Sequence, residues 1–219
     1  MKKYKVIAFD LDGTLTNPER GLIQGFVYAF KRLGIEYGEP SSLRRFIGPP
    51  LYEEWQREFG FSFEEASHAI EVFREYYNVY GWRENEVYPG IEELLGALSA
   101  AGKTLIVATS KPEVTAKKVL RLFGLDKYFS TIAGASSDGS SDSKSIILKR
   151  AIENTGYAAS ECILVGDRKY DAEGARTVGA DSLGVLWGHG SEEELNSAPF
   201  TAIAKTPEEV KKMLSAEYA

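Results

Sequence analysis

Short runs of apolar residues recur along the chain, and turn-forming residues bound each of them. Continuous apolar runs of this length are typical of strands that are buried on both faces of a sheet. They occupy residues 6–9, 104–108, 131–133, 162–165, 182–186 and 201–204. Helical patterns lie between them at residues 91–98, 114–123, 146–152 and 172–178, each ending near a glycine that can stop a helix. The alternation predicts an α/β fold with a doubly wound, mostly parallel sheet, whose ligands bind outside the carboxyl ends of the strands.

One stretch breaks this alternation, because residues 16–86 have a helical pattern throughout. Apolar residues at helical spacing form two faces there. One face consists of Leu22, Ile23, Phe26, Val27, Phe30 and Leu33, and the other of Phe63, Ala66, Ile70, Phe73 and Tyr77. We therefore expect residues 16–86 to form an inserted helical lid or cap, and residues 1–15 with 87–219 to form the core. The alternative is that these helices pack permanently on the edge of the sheet.

The composition is that of an ordinary globular protein, with 43% hydrophobic and 26% charged residues in 219. The formal net charge is -6 and no dense basic run is present, so a nucleic-acid partner is not expected. Lys2 and Lys3 lead straight into the first strand, and no apolar run reaches membrane-spanning length, so we expect neither a signal peptide nor a membrane partner. The single cysteine, Cys162, lies in an apolar run, which predicts a buried thiol and a reducing cytoplasm.

The end of the first strand carries the strongest chemical signal. Asp10 and Asp12 follow this strand, and Gly13 and Thr14 complete a tight turn. Two carboxylates in this arrangement can divide covalent catalysis between a nucleophile and a proton shuttle. Taken alone, the same residues also fit a surface turn after a strand.

Two further places can bind an anion. Thr109, Ser110 and Lys111 follow the second buried strand, where a hydroxyl and exposed backbone amides can donate to phosphate oxygens. Lys144 begins a helix and opposes its dipole, so an anionic partner is expected beside it. Taken singly, an ordinary strand end and a solvated lysine are the simpler interpretations.

A second pair of carboxylates, Asp167 and Asp171, follows the strand at residues 162–165. Gly166 lets the backbone there approach a ligand closely. Acidic residues at the ends of different parallel strands repel one another unless a cation or a proton lies among them. Because the available ligands are hard oxygen atoms and no Cys or His cluster competes, Mg2+ is favoured over zinc.

In this order, DxDGT, a strand ending in Thr, a Lys and GDxxxD strongly resemble the motif set of the haloacid dehalogenase (HAD) superfamily of phosphohydrolases. Within that superfamily the chain is similar to the phosphoglycolate phosphatase-like branch with a small helical cap, over essentially its whole length. The resemblance implies a Rossmann-like core, a mobile cap and Mg2+-dependent hydrolysis of small phosphorylated metabolites through an aspartyl-phosphate.

The resemblance also implies roles for individual residues. Asp10 is expected to be the nucleophile and Asp12 the general acid and base. Thr109 and Lys144 are expected to hold the phosphoryl group, with the neighbours Ser110 and Lys111 beside them. The implied Mg2+ ligands are Asp10, the backbone carbonyl of Asp12 and Asp167, with Asp171 close behind.

Lys144 departs from the family pattern in one respect, because Ser145 and Ile146 follow it where many relatives carry prolines. Lys111 is therefore an alternative that can assist Lys144 or substitute for it. The four aspartates and Lys144 leave a formal charge of -3, which one Mg2+ and a proton on Asp12 bring to zero.

The choice of substrate is expected to depend on the helical insertion. Arg45 lies in a turn at residues 45–50 and can bind a substrate carboxylate or phosphate, although a solvated arginine at a helix end fits equally well. His189 follows a strand on the side where sites occur, and no catalytic role is assigned to it. The resemblance favours a phosphoglycolate phosphatase-like activity, and a 5'-nucleotide and a small sugar phosphate stay open as alternative substrates. A monomer and a homodimer are both open.

Three other functions share part of this set of residues. A receiver-like signalling domain also combines aspartates, Thr and Lys, but it stores a phosphoryl group and has no use for a proton shuttle at Asp12. A sugar-phosphate mutase shares the first steps and must protect its intermediate from water. A dehalogenase is disfavoured by the phosphate-binding residues and the implied metal.

Overall fold

The structure is a computed structural model that describes residues 2–48, 51–136 and 142–215. The polar, glycine-containing sequence at residues 136–143 predicts a loop, and most of it lies outside the described residues, as do the prolines of the 45–50 turn. The chain divides into two compact units, one formed by residues 1–16 and 87–219 and the other by residues 17–86.

The first unit contains a six-stranded sheet. Its strands are β1 (Val6–Phe9), β4 (Thr104–Pro112), β5 (Thr131–Ala135), β6 (Cys162–Gly166), β7 (Asp181–Val185) and β8 (Ala202–Ala204). Their order across the sheet is β5-β4-β1-β6-β7-β8, and every neighbouring pair is parallel. The short strands β2 (Thr16–Asn17) and β3 (Glu86–Val87) pair with each other where the chain leaves this unit and returns to it. The predicted α/β fold with a parallel sheet is confirmed.

Helices alternate with these strands. They are α4 (Ile91–Ala100), α5 (Glu113–Leu122), α6 (Lys144–Glu153), α7 (Lys169–Val178), α8 (Glu192–Ser197) and α9 (Pro207–Leu214). Three of them, α5, α6 and α7, begin one to three residues earlier than the apolar pattern predicted, because their first residues are polar. Helix α7 ends as predicted at a glycine, Gly179, which takes a left-handed φ of 80° and donates its N–H to the carbonyls of the last turn.

One part of the hydrophobic core of this unit lies between the sheet and two of the helices. Ile147 and Leu148 of α6 and Ala175 of α7 pack in one buried cluster with residues of β1, β4 and β6. Such strands have no polar face, which explains why they appear in the sequence as continuous apolar runs. Cys162 is part of this cluster, and burial raises the pKa of its thiol to about 12.

The second unit is helical. It contains α1 (Glu19–Leu33), a 3-10 segment (Pro40–Phe46), α2 (Leu51–Phe59) and α3 (Phe63–Tyr77). Its own core is rich in aromatic rings and includes Phe26, Phe30, Phe46, Trp55, Phe73 and Tyr77. Phe63 was expected on the packed face of its helix, but 69% of it is exposed. It is the first residue of α3, directly after the Ser62 cap, where the helix has not yet turned its apolar face inward.

No helix among the described residues is long and apolar enough to cross a membrane.

Candidate active site

The carboxyl end of β1 lies between those of two neighbouring strands. Phe9 is paired with Val107 of β4 on one side and with Val165 of β6 on the other. The backbone N–H of Asp10 continues this ladder by donating to the carbonyl of Val165 at 2.9 Å. The residues that follow the three strands therefore meet at one edge of the sheet, as the sequence predicted.

Three of the predicted aspartates form a cluster at this edge. Asp10, Asp167 and Asp171 each offer a carboxylate oxygen, and these atoms lie within 4.8 Å of one another. Asp167 and Asp171 are almost completely buried, at 0% and 1% exposure. The donor set consists of hard carboxylate oxygens at close spacing, which fits a divalent cation such as Mg2+.

The environment of Asp167 opposes its ionisation. Burial raises the pKa of this carboxyl to about 8, and the charges of Asp171 and Asp10 add to the effect. The hydroxyl of Thr14 donates to its Oδ1 at 3.2 Å, and the backbone N–H of His189 donates to its Oδ2 at 2.8 Å. Like charges that are held together in this way favour the binding of a cation among them.

Glycines allow the backbone to lie against this cluster. Gly13 has a φ of 85°, and a Cβ there would lie closer than 3.0 Å to both carboxylate oxygens of Asp167. A Cβ on Gly188 would meet Asp167 in the same way. The segment at residues 187–190 therefore forms a wall of the site, and the indole N–H of Trp187 fixes it by donating to the carbonyl of Thr14 at 3.0 Å. The sequence indicated this segment only through His189, although the two glycines that follow a strand were an available signal.

Lys144 lies between two of the clustered aspartates. Its Nζ is 2.8 Å from Asp10 Oδ1 and 2.7 Å from Asp171 Oδ1, and only 7% of its side chain is exposed. Burial alone would lower the pKa of this ammonium, but the charges of Asp10 and Asp171 outweigh burial and raise it. Lys144 is therefore a permanent positive charge beside Asp10, although no proline follows it. The hydroxyl of Ser143 caps the start of its helix instead.

Asp12 has a separate partner. Lys111 Nζ lies 2.8 Å from Asp12 Oδ2 and 3.1 Å from Oδ1. The carboxylate of Asp12 is thus outside the cluster of three aspartates, and a role for it in holding a metal rests on its backbone carbonyl alone. With Lys111, the four carboxylates face two ammonium groups, so the expected formal charge of -3 becomes -2, which one divalent cation would neutralise.

Thr109 and Ser110 lie at the same edge of the sheet, near the end of β4. Thr109 is 2% exposed, and its hydroxyl accepts a hydrogen bond from the backbone N–H of Lys111 at 3.2 Å. A hydroxyl that accepts in this way keeps its own proton for donation. Ser110 is exposed.

Arg45 belongs to the helical unit, where it is the last but one residue of the 3-10 segment that ends at Phe46. Its guanidinium pairs with Glu58 and lies over the ring of Phe46. Its predicted contact with substrate stays a prediction.

The chain belongs to the haloacid dehalogenase-like hydrolase family, whose model matches residues 7–185. It is 42% identical to a 5'-nucleotidase from Pseudomonas aeruginosa over 89% of this chain and 88% of that protein. It is 38% identical to the tyrosine-protein kinase PtkA of Mycobacterium tuberculosis over 96% of this chain and 72% of that protein. Other relatives are named phosphoglycolate phosphatase.

The fold also matches solved structures of the family. The crystal structure of a predicted phosphatase from Clostridium acetobutylicum superimposes with a TM-score of 0.92 at 39% identity, covering 97% of this chain and 98% of that chain. The family, the fold and the phosphatases among the relatives agree with the prediction from sequence. The protein is a phosphatase with the HAD fold.

Proposed function

We propose that the protein is a Mg2+-dependent phosphatase that hydrolyses small phosphomonoesters through an aspartyl-phosphate on Asp10. The cluster of Asp10, Asp167 and Asp171 with the buried ammonium of Lys144 is the observation that carries this proposal. It supplies a nucleophile, a site for a divalent cation and a fixed positive charge at one place. A surface turn needs none of these.

The charge of the substrate is the first obstacle. A phosphomonoester is an anion, and it meets repulsion from the carboxylate that must attack it. Lys144 offsets this repulsion and holds the carboxylate of Asp10 in one orientation through its ion pair. When bound at Asp10, Asp167 and Asp171, Mg2+ would act as a Lewis acid that withdraws charge from the phosphoryl oxygens.

The two half-reactions use the two aspartates of the first strand end. A carboxylate oxygen of Asp10 attacks phosphorus, and the bond to the leaving oxygen breaks while Asp12 gives that oxygen a proton. Asp12, now ionised, takes a proton from water, which attacks phosphorus and returns the electron pair of the P–O bond to Asp10. Thr109, with Ser110 beside it, donates to the phosphoryl oxygens in both steps.

The substrate class that we favour is the 5'-nucleotides. The observation behind this choice is the 42% identity to a protein named 5'-nucleotidase. Phosphoglycolate and small sugar phosphates are the competing substrates. Arg45 is the candidate for contact with the leaving group of the ester.

The test is phosphate release from a panel of these esters, measured with Mg2+ and with EDTA. Asp10→Asn removes the nucleophile, so we expect turnover to fall roughly 10^4-fold or more. Asp181→Asn is the matched control, because Asp181 begins β7 at the opposite end of the strands and pairs with Lys2 and Tyr4. This control should keep wild-type turnover. Wild-type-like activity of Asp10→Asn would refute the assignment.

The lifetime of the phosphorylated protein separates hydrolysis from phosphoryl storage. A phosphatase loses the phosphoryl group within its turnover time, whereas a receiver-like domain holds it for many minutes. A single-turnover experiment with acid quenching measures this lifetime directly.

A further inference from the structure

The last residues of β4 leave the regular ladder with β5. Ala108 is paired with Ala133, but the next pair joins Pro112 to Ala135, so four steps along β4 correspond to two along β5. The extra residues form a bulge, and bulges redirect the side chains that they contain. Lys111 lies within this bulge.

A glycine on the neighbouring strand makes the bulge possible. A Cβ on Gly134 would lie 2.6 Å from the carbonyl oxygen of Lys111 and 2.6 Å from Cα of Glu113. Both neighbours are backbone atoms, which have little freedom to move away. An alanine at this position would therefore displace the segment that carries Lys111.

The bulge aims the Lys111 ammonium at both oxygens of Asp12, at 2.8 and 3.1 Å. Only 4% of the Lys111 side chain is exposed, compared with 26% of the Asp12 side chain. Lys111 is therefore fixed by its buried surroundings, and its ammonium group orients the more accessible carboxylate of Asp12. Because desolvation of a buried lysine offsets most of the attraction in such a pair, stability alone is a weak reason for it.

We propose that Lys111 is a positioning residue that holds Asp12 as an oriented carboxylate for the second half-reaction. This inference rests on the proposed function. In that step a water molecule gives its proton to a carboxylate oxygen of Asp12, its oxygen bonds to phosphorus, and the bond from phosphorus to Asp10 breaks with its electron pair returning to Asp10. Loss of Lys111 leaves Asp12 free to rotate away from that water.

This role differs from direct binding of the phosphoryl group, which the sequence suggested for Lys111. For a leaving group such as p-nitrophenolate, which departs without a proton from Asp12, a positioning role affects hydrolysis of the aspartyl-phosphate and leaves its formation intact. The ratio kcat/KM reports only steps up to the first irreversible one, so it should stay unchanged while kcat and KM fall together. A phosphate-binding role would lower kcat/KM for every substrate.

The experiment compares wild type with Lys111→Gln, using p-nitrophenyl phosphate and Mg2+. We expect kcat to fall about tenfold or more, since general-base catalysis contributes at least this much. We also expect a burst of p-nitrophenol close to one equivalent per protein molecule. Intact mass after acid quenching should show most of the variant carrying one phosphoryl group, compared with a minor fraction of wild type.

Two further variants complete the design. Gly134→Ala disturbs the bulge and leaves every charged group in place, so the same burst and phosphorylated mass are expected. Lys117→Gln removes a lysine of α5 that is 41% exposed and pairs with Glu113, and it should behave as wild type. Circular dichroism checks that each variant is folded.

Failure of the positioning role and failure of the proposed function would give different results. A reduced kcat/KM without phosphorylated protein, in both Lys111→Gln and Gly134→Ala, would overturn the positioning role and return Lys111 to phosphate binding. Absence of Mg2+-dependent phosphate release by wild type would instead overturn the proposed function itself.

Discussion

Burial of the Asp167 carboxylate is unfavourable in the metal-free protein, yet the same carboxylate is a proposed ligand for Mg2+. Its carboxyl lies beside Asp10 and Asp171 and accepts hydrogen bonds from Thr14 and from the backbone of His189. These two hydrogen bonds satisfy the carboxylate oxygens of Asp167, but they do not cancel the negative charges of Asp10 and Asp171. Without a cation, burial and like charge make the ionised form unfavourable, which is the physical meaning of its raised pKa of about 8.

This environment predicts a pH-dependent effect of Asp167→Asn on stability. Because the folded pKa of about 8 exceeds the ordinary 3.8, the folded protein binds the proton more tightly than the unfolded chain does. In EDTA, wild type should therefore lose stability as pH rises from about 4 through 8. Asp167→Asn lacks this loss, so its melting temperature should exceed that of wild type at pH 9 by roughly 3 °C or more, and the gap should close by pH 5.

Differential scanning fluorimetry measures both effects. Addition of Mg2+ at pH 9 should raise the melting temperature of wild type and leave that of Asp167→Asn nearly unchanged. Asp181→Asn, at the opposite end of the strands from the cluster, serves as the control and should show the wild-type response to Mg2+. Equal Mg2+ responses in wild type and Asp167→Asn would exclude Asp167 as a metal ligand.

For single residues, the sequence predicted which side chains lie together at the edge of the sheet, but it did not predict which of them form ion pairs. Asp10, Asp167 and Lys144 could be placed from the strand ends that precede them, because parallel strands finish at one edge. The pairing of Lys111 with Asp12 depends on the bulge in β4, and a bulge leaves no periodic trace in a sequence. The contribution of the His189 backbone was equally hidden, since it involves no side-chain chemistry.

At the scale of elements, the aromatic cluster of the helical unit decides how its helices pack. Phe26 of α1 lies at its centre, with ring centroids 5.1 Å from Phe73, 5.8 Å from Trp55 and 6.0 Å from Phe46. Contacts of this kind add to the free energy gained by burying the rings. One residue thus joins α1, α2, α3 and the 3-10 segment.

Phe26→Ala should destabilise this unit by about 3–5 kcal/mol, because it leaves a large cavity among rigid rings. The matched control is Phe63→Ala, since 69% of Phe63 is exposed. Its free energy of unfolding should differ from wild type by less than about 1 kcal/mol. Urea denaturation followed by tryptophan fluorescence, with Trp55 inside the cluster, measures both values. Similar losses for the two variants would contradict the assigned core.

The helical periodicity predicted this unit but gave Phe63 the wrong environment. A repeat of apolar residues shows that a helix has a packed face, yet it does not show where that face stops being covered. At the first turn, the Ser62 cap and the polar residues after it set the direction of the chain. The apolar pattern also predicted too short a strand for β4, because the polar residues 109–111 continue the strand beyond its apolar run.

At the scale of the whole molecule, the helical unit is an insertion whose two ends lie side by side. Residues of β2 and β3 pair with each other, which places the exit and the return of the chain about 5 Å apart. A short connection can therefore replace residues 17–86 without stretching the sheet. The core keeps all six strands and every residue of the proposed catalytic site.

We predict that a variant with a short Gly-Ser linker in place of residues 17–86 folds with a strand content like that of the intact core. It should retain Mg2+-dependent hydrolysis of p-nitrophenyl phosphate, while its preference among 5'-nucleotides, phosphoglycolate and sugar phosphates becomes much weaker. Circular dichroism and the ester panel measure these properties. An unchanged order of preference would place specificity in the core instead.

The burial of Cys162 has a practical consequence for studying the two units. The protein has one cysteine, it is fully enclosed, and its thiol stays protonated at neutral pH. Maleimide dyes react with thiolates at the surface, so they will leave it untouched in the native state. New cysteines at the exposed positions Val79 and Val114, one in each unit, can therefore carry a donor and an acceptor dye, and Förster transfer between them will report the separation of the units during turnover.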